Sequence, residues 1–239
     1  DDVYIVDLED VLSDSGGIDT VIVRSQPSLF VSFALAAEFE NLRMEPEPVR
    51  LPEGFEDVTT VQATGNDLDN LIVGAPEWWA TNWLDAGDGR DTLMGGDGSD
   101  TFRFAAGSGN YGDDHVDGGG VAHDFEGGVN AIDFTSARSG VVVDFRLGSA
   151  TGGGVGGSGS VTFINIQKAS GGDFDDLLIA NDGGFDWNTL GGPILRGGGG
   201  NDTLVGGASH DPFDGGMGDD EVLGREGNDL LRGDEGNDT

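Results

Sequence analysis

The sequence predicts an all-β fold: parallel β-roll segments joined by β-rich spacers. Three observations lead there. The last 43 residues fall into blocks of nine with the pattern G-G-x-G-x-D-x-U-x, where U is a large apolar residue. Glycine and acid are both in excess, with 45 Gly and 45 Asp or Glu in 239 residues, 33 of the acids being Asp. Apolar residues make up 36%, with 13 Phe and 4 Trp, and in the blocks they are periodic, so a fully disordered chain is disfavoured.

Taken in chain order, the elements are as follows. Asp1 and Asp2 match the fifth and sixth places of a nine whose start is missing, so the chain reads as cut from a longer array. Residues 3–6 (VYIV) and 21–23 (VIV) read as strands from their β-branched content. Residues 28–42 fit strand alternation and helical spacing in different parts. Residues 44–52 hold three of the seven prolines and read as a loop. A first run of nines follows. Residues 65–73 (GNDLDNLIV) carry Asn70 in the Asp place, 86–94 read AGDGRDTLM and 95–103 read GGDGSDTFR. Residues 74–85 are a nine with about three extra residues, which bring in Trp78 and Trp79. Residues 141–145 and 161–166 read as strands around a glycine-rich loop at 152–159. Residues 171–196 open with GGDFDDLLI and are a degenerate run. The regular run is GGGGNDTLV, GGASHDPFD, GGMGDDEVL, GREGNDLLR and GDEGNDT, from 197 to 239.

Each block has a physical reading. Glycines at the first, second and fourth places permit positive φ in a tight loop. The x-U-x that follows makes a short strand with its middle side chain inward. Two nines then complete one turn of a flattened parallel coil, and loops from blocks n and n+2 stack on the same edge. Short-stemmed carboxylates and loop carbonyls form the oxygen-only environment that hard divalent cations prefer. The plain alternative is a solvated acidic surface with structural turns, but a random acidic face does not place Asp every nine residues after G-x-G-x.

Composition excludes other classes. With 11 Lys or Arg and a net charge of −34, nucleic acid is not an expected partner. An anionic membrane surface is disfavoured for the same reason, and no apolar run is long enough to span a bilayer. There is no cysteine, so no disulfide, thiolate site or cysteine nucleophile. His115, His123 and His210 match no H-E-x-x-H spacing, and Gly157-Ser158-Gly159 has no base nearby. No catalytic motif is expected. Trp78, Trp79 and Trp83 are read as buried, because large apolar patches are rarely left in water; exposed, they would bind a sugar or a neighbouring subunit, and Trp187 has the same two readings.

The nines resemble the calcium-binding RTX (repeats-in-toxin) repeats of extracellular bacterial proteins. Residues 1–25, 35–42 and 64–74 are similar to an RTX spacer, 101–136 to a segment that closes a repeat block, and 141–176 to another spacer. In the closing segment Asn130 stands where Asp is expected. The resulting division is a spacer at 1–64, a roll segment at 65–103, a closing segment and spacer at 104–170, and a degenerate then regular roll at 171–239. The expected cofactor is Ca²⁺, several ions, held by Asp91, Asp100, Asp202, Asp211, Asp220, Asp229 and Asp238, with Asn70 and Asp176 as weaker members. Carbonyls such as those of Gly198, Gly200, Gly216 and Gly218 are expected to complete the shells. The resemblance further implies type I secretion, calcium-driven folding outside the cell, and a surface-layer, adhesin or filament role. Calcium, other cell-surface components and self-association are then the expected partnerships. The alternatives are the carrier region of a secreted RTX enzyme or toxin (alginate epimerase, protease, lipase or haemolysin) and a disordered acidic calcium buffer.

Overall fold

The computed structural model describes residues 2–7, 10, 12–13, 16–24, 30–46, 49–50, 56–57, 59–77, 79–104, 111–120, 129–182 and 191–239. Two stacked sheets, A and B, account for nearly all of the strand. Along the chain, β1 (Val3–Val6) and β2 (Thr20–Val23) lie in sheet A, β3 (Phe30–Ala34) in B and β4 (Asn41–Met44) in A. A small antiparallel pair follows, β5 (Val49–Arg50) with β6 (Glu56–Asp57). Strict alternation between B and A then begins: β7 (Thr59–Thr64), β8 (Leu71–Val73), β9 (Ala80–Asp85), β10 (Thr92–Gly96), β11 (Thr101–Arg103), β12 (Asp113–Gly119) and β13 (Ala131–Asp133). Sheet A next takes β14 (Val141–Asp144), β15 (Ser149–Gly152) and β16 (Ser160–Ile164) as an antiparallel meander. Alternation resumes from B with β17 (Lys168–Ser170), β18 (Leu177–Ile179), β19 (Ile194–Gly199), β20 (Thr203–Val205), β21 (Pro212–Met217), β22 (Glu221–Leu223) and β23 (Leu230–Glu235).

This is a parallel β-roll. Strands two steps apart pair in parallel, as in Leu204↔Val222 and Phe213↔Leu231, each 18 residues apart. Two nines therefore make one turn. The segments at 1–64 and 104–170 contribute strands to the same two sheets, so the coil runs through them.

The core lies between the sheets and is one inward residue wide per short strand. Ile72, Leu93, Val116, Leu178 and Leu204 stack from sheet A against Leu84, Phe102, Ile132, Ala169, Leu195 and Phe213 from sheet B. Burying a side chain of this size contributes roughly 1.5–3 kcal/mol. The meander disturbs the count. Between β12 and β18 sheet A holds three strands, while between β13 and β19 sheet B holds only β17. Sheet A is thus longer there by two strand spacings, roughly 10 Å. Aromatic rings fill the wider interior: Phe104 stacks on Phe134 at 5.1 Å and lies 5.3 Å from Tyr111, and Phe145 meets Phe163 edge-on at 5.2 Å.

The expected strands at 3–6, 21–23, 141–145 and 161–166 are present within a residue or two. Residues 28–42 are described from 30 on, and there they resolve in favour of strand: β3 and β4 joined by a turn, because Val31 and Leu42 are both needed inward. The loop expected at 44–52 gives up Val49–Arg50 to a strand pair. The loop at 152–159 contains a 3₁₀ turn, Val155–Gly157. Trp79 is buried, but Trp83 corrects the expectation of burial. Leu84 takes the inward place on β9, so its neighbour Trp83 must face out and is 43% exposed. Trp78 and Trp187 lie outside the described residues.

Candidate metal centre

The chain turns at two edges, one where it passes from B to A and one where it passes from A to B. At both, a polar residue sits two places before the inward apolar one and points under the loop. On the B-to-A edge, Asp176 N–H donates to Asp202 Oδ1 (2.8 Å), Asp202 N–H to Asp220 Oδ1 (2.8 Å) and Asp220 N–H to Asp238 Oδ1 (3.1 Å). The same ladder runs from Asn70 N–H to Asp91 Oδ1 (2.7 Å) and from Asp91 N–H to Asp114 Oδ1 (2.8 Å). On the A-to-B edge, Asp211 N–H donates to Asp229 Oδ1 (3.1 Å) and Asn82 N–H to Asp100 Oδ1 (3.0 Å). Every expected Asp and Asn70 is therefore a rung. All are buried except Asp229, which is half-buried, and Asp238, which is exposed in the last turn.

At Asp91, Asp114, Asp202 and Asp220 the rung consumes Oδ1 alone, whereas at Asp100, Asp176 and Asp211 Oδ2 accepts a loop N–H, from Gly96, Gly172 and Gly207. Asp91 Oδ2, Asp114 Oδ2, Asp202 Oδ2, Asp220 Oδ2 and Asp211 Oδ1 are buried without any hydrogen-bond donor. Buried acceptors of this kind are costly unless something positive meets them. Burial pushes Asp91 up to about 8, Asp114 and Asp202 to about 7, and Asp100 and Asp176 to about 6; it raises Asp211 as well. Removal from water is the largest cause in each case, and neighbouring carboxylates add to it at Asp91, Asp114 and Asp202.

The glycines form the other wall. A β-carbon on Gly197 would collide with both Asp202 Oδ2 and the Gly215 carbonyl, and one on Gly215 would meet Asp220 Oδ2 and the Gly233 carbonyl. A carboxylate oxygen without a donor and a carbonyl of the next turn thus converge beside Gly197 and Gly215. Gly198, Gly200, Gly216 and Gly218 all have φ between +108° and +129°, a region that side chains resist. The carbonyls of Gly198 and Gly200 abut Gly216 and Gly218 of the next turn. Among the described residues no three acidic or imidazole groups converge on one point. A cation at these edges therefore needs main-chain carbonyls in addition to Asp. Oxygen donors with unpaired, buried carboxylates fit a hard divalent cation such as Ca²⁺.

Several rungs escape the nine-residue pattern. Asp114, Asn82, Asn130 and Gln167 all hold ladder positions. Asp19 and Glu40 do the same near the start, where Asp2 N–H donates to Asp19 and Asp19 N–H to Glu40. The signal that finds them is polar-x-U alone: D-H-V116, N-W-L84, N-A-I132, Q-K-A169, D-T-V21 and E-N-L42. A second ladder was also hidden in the fifth place of the blocks. Asn201 N–H donates to Asp175 Oδ1, Asp219 N–H to Asn201 Oδ1 and Asn237 N–H to Asp219 Oδ1. At the other edge Asn228 N–H donates to His210 Nδ1. The two ladders run in opposite directions along the coil and hold both ends of each loop.

Fold and edges together define a parallel β-roll whose glycine loops are lined with inward carboxylates. Residues 79–110, 194–222 and 214–239 match the family model of the RTX calcium-binding nonapeptide repeat (4 copies). The chain carries RTX calcium-binding nonapeptide repeats. Residues 111–193, which include Asn130 and Gln167, lie between the matches. Comparison with curated proteins gives no match.

Proposed function

We propose that this chain binds several Ca²⁺ ions along its two loop edges, folds fully only when they are bound, and serves outside the cell as a structural or interaction scaffold. The observation that carries the reading is the row of buried carboxylate oxygens without donors, of which Asp202 Oδ2 and Asp220 Oδ2 each lie beside a carbonyl of the neighbouring turn. Asp176, Asp202, Asp220 and Asp238 would hold ions on one edge, with Asp91 and Asn70 further along it. Asp100, Asp211 and Asp229 would serve the other. The carbonyls of Gly198, Gly200, Gly216 and Gly218 and of the first-place glycines Gly197 and Gly215 would complete the shells. Bound calcium supplies positive charge where burial has stranded negative charge. Each ion also cancels two units of a net charge of −34, which opposes compaction. At 100 times the dissociation constant each site adds roughly 2.7 kcal/mol. Low calcium inside a cell and high calcium outside would thus leave the chain incompletely folded for export and complete the fold afterwards.

The scaffold reading rests on continuity: the same two sheets run through matched and unmatched segments alike. Sedimentation velocity on the 239-residue chain, with calcium and with chelator, tests it. Calcium-dependent assembly into larger species supports the scaffold. A calcium-bound chain that stays monomeric at high concentration contradicts it and favours a carrier region for a secreted enzyme or toxin.

A further inference from the structure

We infer that Asn130 replaces a cation with its own amide, so that its turn closes without calcium. Asn130 is fully buried on the A-to-B edge and takes the rung after Asp100, whose N–H donates to Asn130 Oδ1 at 2.9 Å. Its Nδ2 donates to three main-chain carbonyls: Gly118 (2.9 Å), Gly120 (3.1 Å) and Asn165 (3.2 Å). The opposite amide orientation would set an oxygen against three oxygens and an N–H against an N–H, so the hydrogen bonds fix this one. Gly118 stands to Asn130 as Gly197 stands to Asp202: a β-carbon there would meet Asn130 Nδ2 and the Asn165 carbonyl. At Asp202 the corresponding atom is an oxygen without a donor, facing the Gly215 carbonyl. One site holds converging acceptors only; the other holds the same acceptors already satisfied by a neutral donor.

Asn82, two rungs earlier, closes its loop in the same way. Its Nδ2 donates to the Ala75 carbonyl (3.0 Å) and to Asp100 Oδ1 (2.7 Å), while its Oδ1 accepts from Ala75 N–H (2.8 Å). At these two rungs the side-chain amide therefore fills the place of an ion, and the loops closed by Asn82 and Asn130 are held independently of calcium.

This rests on the calcium reading above, and the test separates the two. Ion number by isothermal titration calorimetry and melting temperature with calcium or chelator would be measured for the full chain, Asn130→Asp and Asn130→Ala. Asn130→Asp is expected to bind one ion more than the parent, to melt several degrees lower in chelator, and to recover in calcium. Asn130→Ala is expected to melt lower in both conditions. If Asn130→Asp matches the parent in chelator and gains no ion, the inference is overturned while the calcium reading stands. If Asn130→Asp stays as weak in calcium as Asn130→Ala, the amide acts only as a hydrogen-bonding wedge, and the inference is again overturned. If the parent itself binds no calcium, the reading beneath it fails first.

Discussion

An aspartate rung divides its work between two oxygens. Oδ1 of Asp202 ties one turn to the next through Asp176 N–H, and Oδ2 faces the Gly215 carbonyl with no donor. Asp202→Asn keeps the first task and gives the second atom two protons to donate. The expected outcome is one bound ion fewer by calorimetry, with a melting temperature in chelator no lower than that of the parent. A large loss of stability in chelator would mean that the carboxylate holds the loop by some means other than a missing cation. Asp91, Asp100, Asp202, Asp211 and Asp220 were legible because glycine loops frame them. Asp114, Asn82 and Gln167 were not, because their loops have lost the glycine pattern and keep only polar-x-U, a signal too short to find unaided.

At the scale of the strand, three residues suffice because their neighbours supply everything else. Leu204 in β20 is fully buried between the strands carrying Leu178 and Val222. Leu204→Ala is expected to cost about 2–5 kcal/mol in calcium, measured by denaturant unfolding. A cost below about 1 kcal/mol would show that the core column contributes little. The outer face of sheet B has its own order. In register across the strands stand Asp85, Arg103, Asp133, Ser170, Arg196, Asp214 and Arg232, placing three of the ten arginines among carboxylates. No periodicity in the sequence shows that row, because it depends on which strands pair across loops of unequal length. The meander β14–β16 was hidden for a related reason. Its strands read correctly one by one, but an antiparallel insertion in a parallel coil is decided by the pairing partners, which local composition does not encode.

Over the whole molecule, charge governs. Burial pushes Asp100 and Asp176 up to about 6, Asp114 and Asp202 to about 7 and Asp91 to about 8 in the folded chain, above the ordinary carboxylate value of 3.8. The calcium-free fold therefore binds more protons than the unfolded chain between about pH 4 and pH 8, and its stability falls as pH rises through that window. Calcium reverses the sign, since its ligands must be deprotonated. Melting in chelator should thus rise on acidification from pH 8 to pH 5, whereas the stabilisation added by a fixed calcium concentration should shrink. Equal pH profiles with and without calcium would contradict both statements. The central claim is that calcium completes a coil already drawn by the hydrogen-bond ladders. Far-UV circular dichroism during a calcium titration, with magnesium as control, tests it most directly. A cooperative gain of β signal with calcium and not with magnesium is the predicted result. A spectrum and melting temperature unchanged between excess chelator and saturating calcium would contradict it.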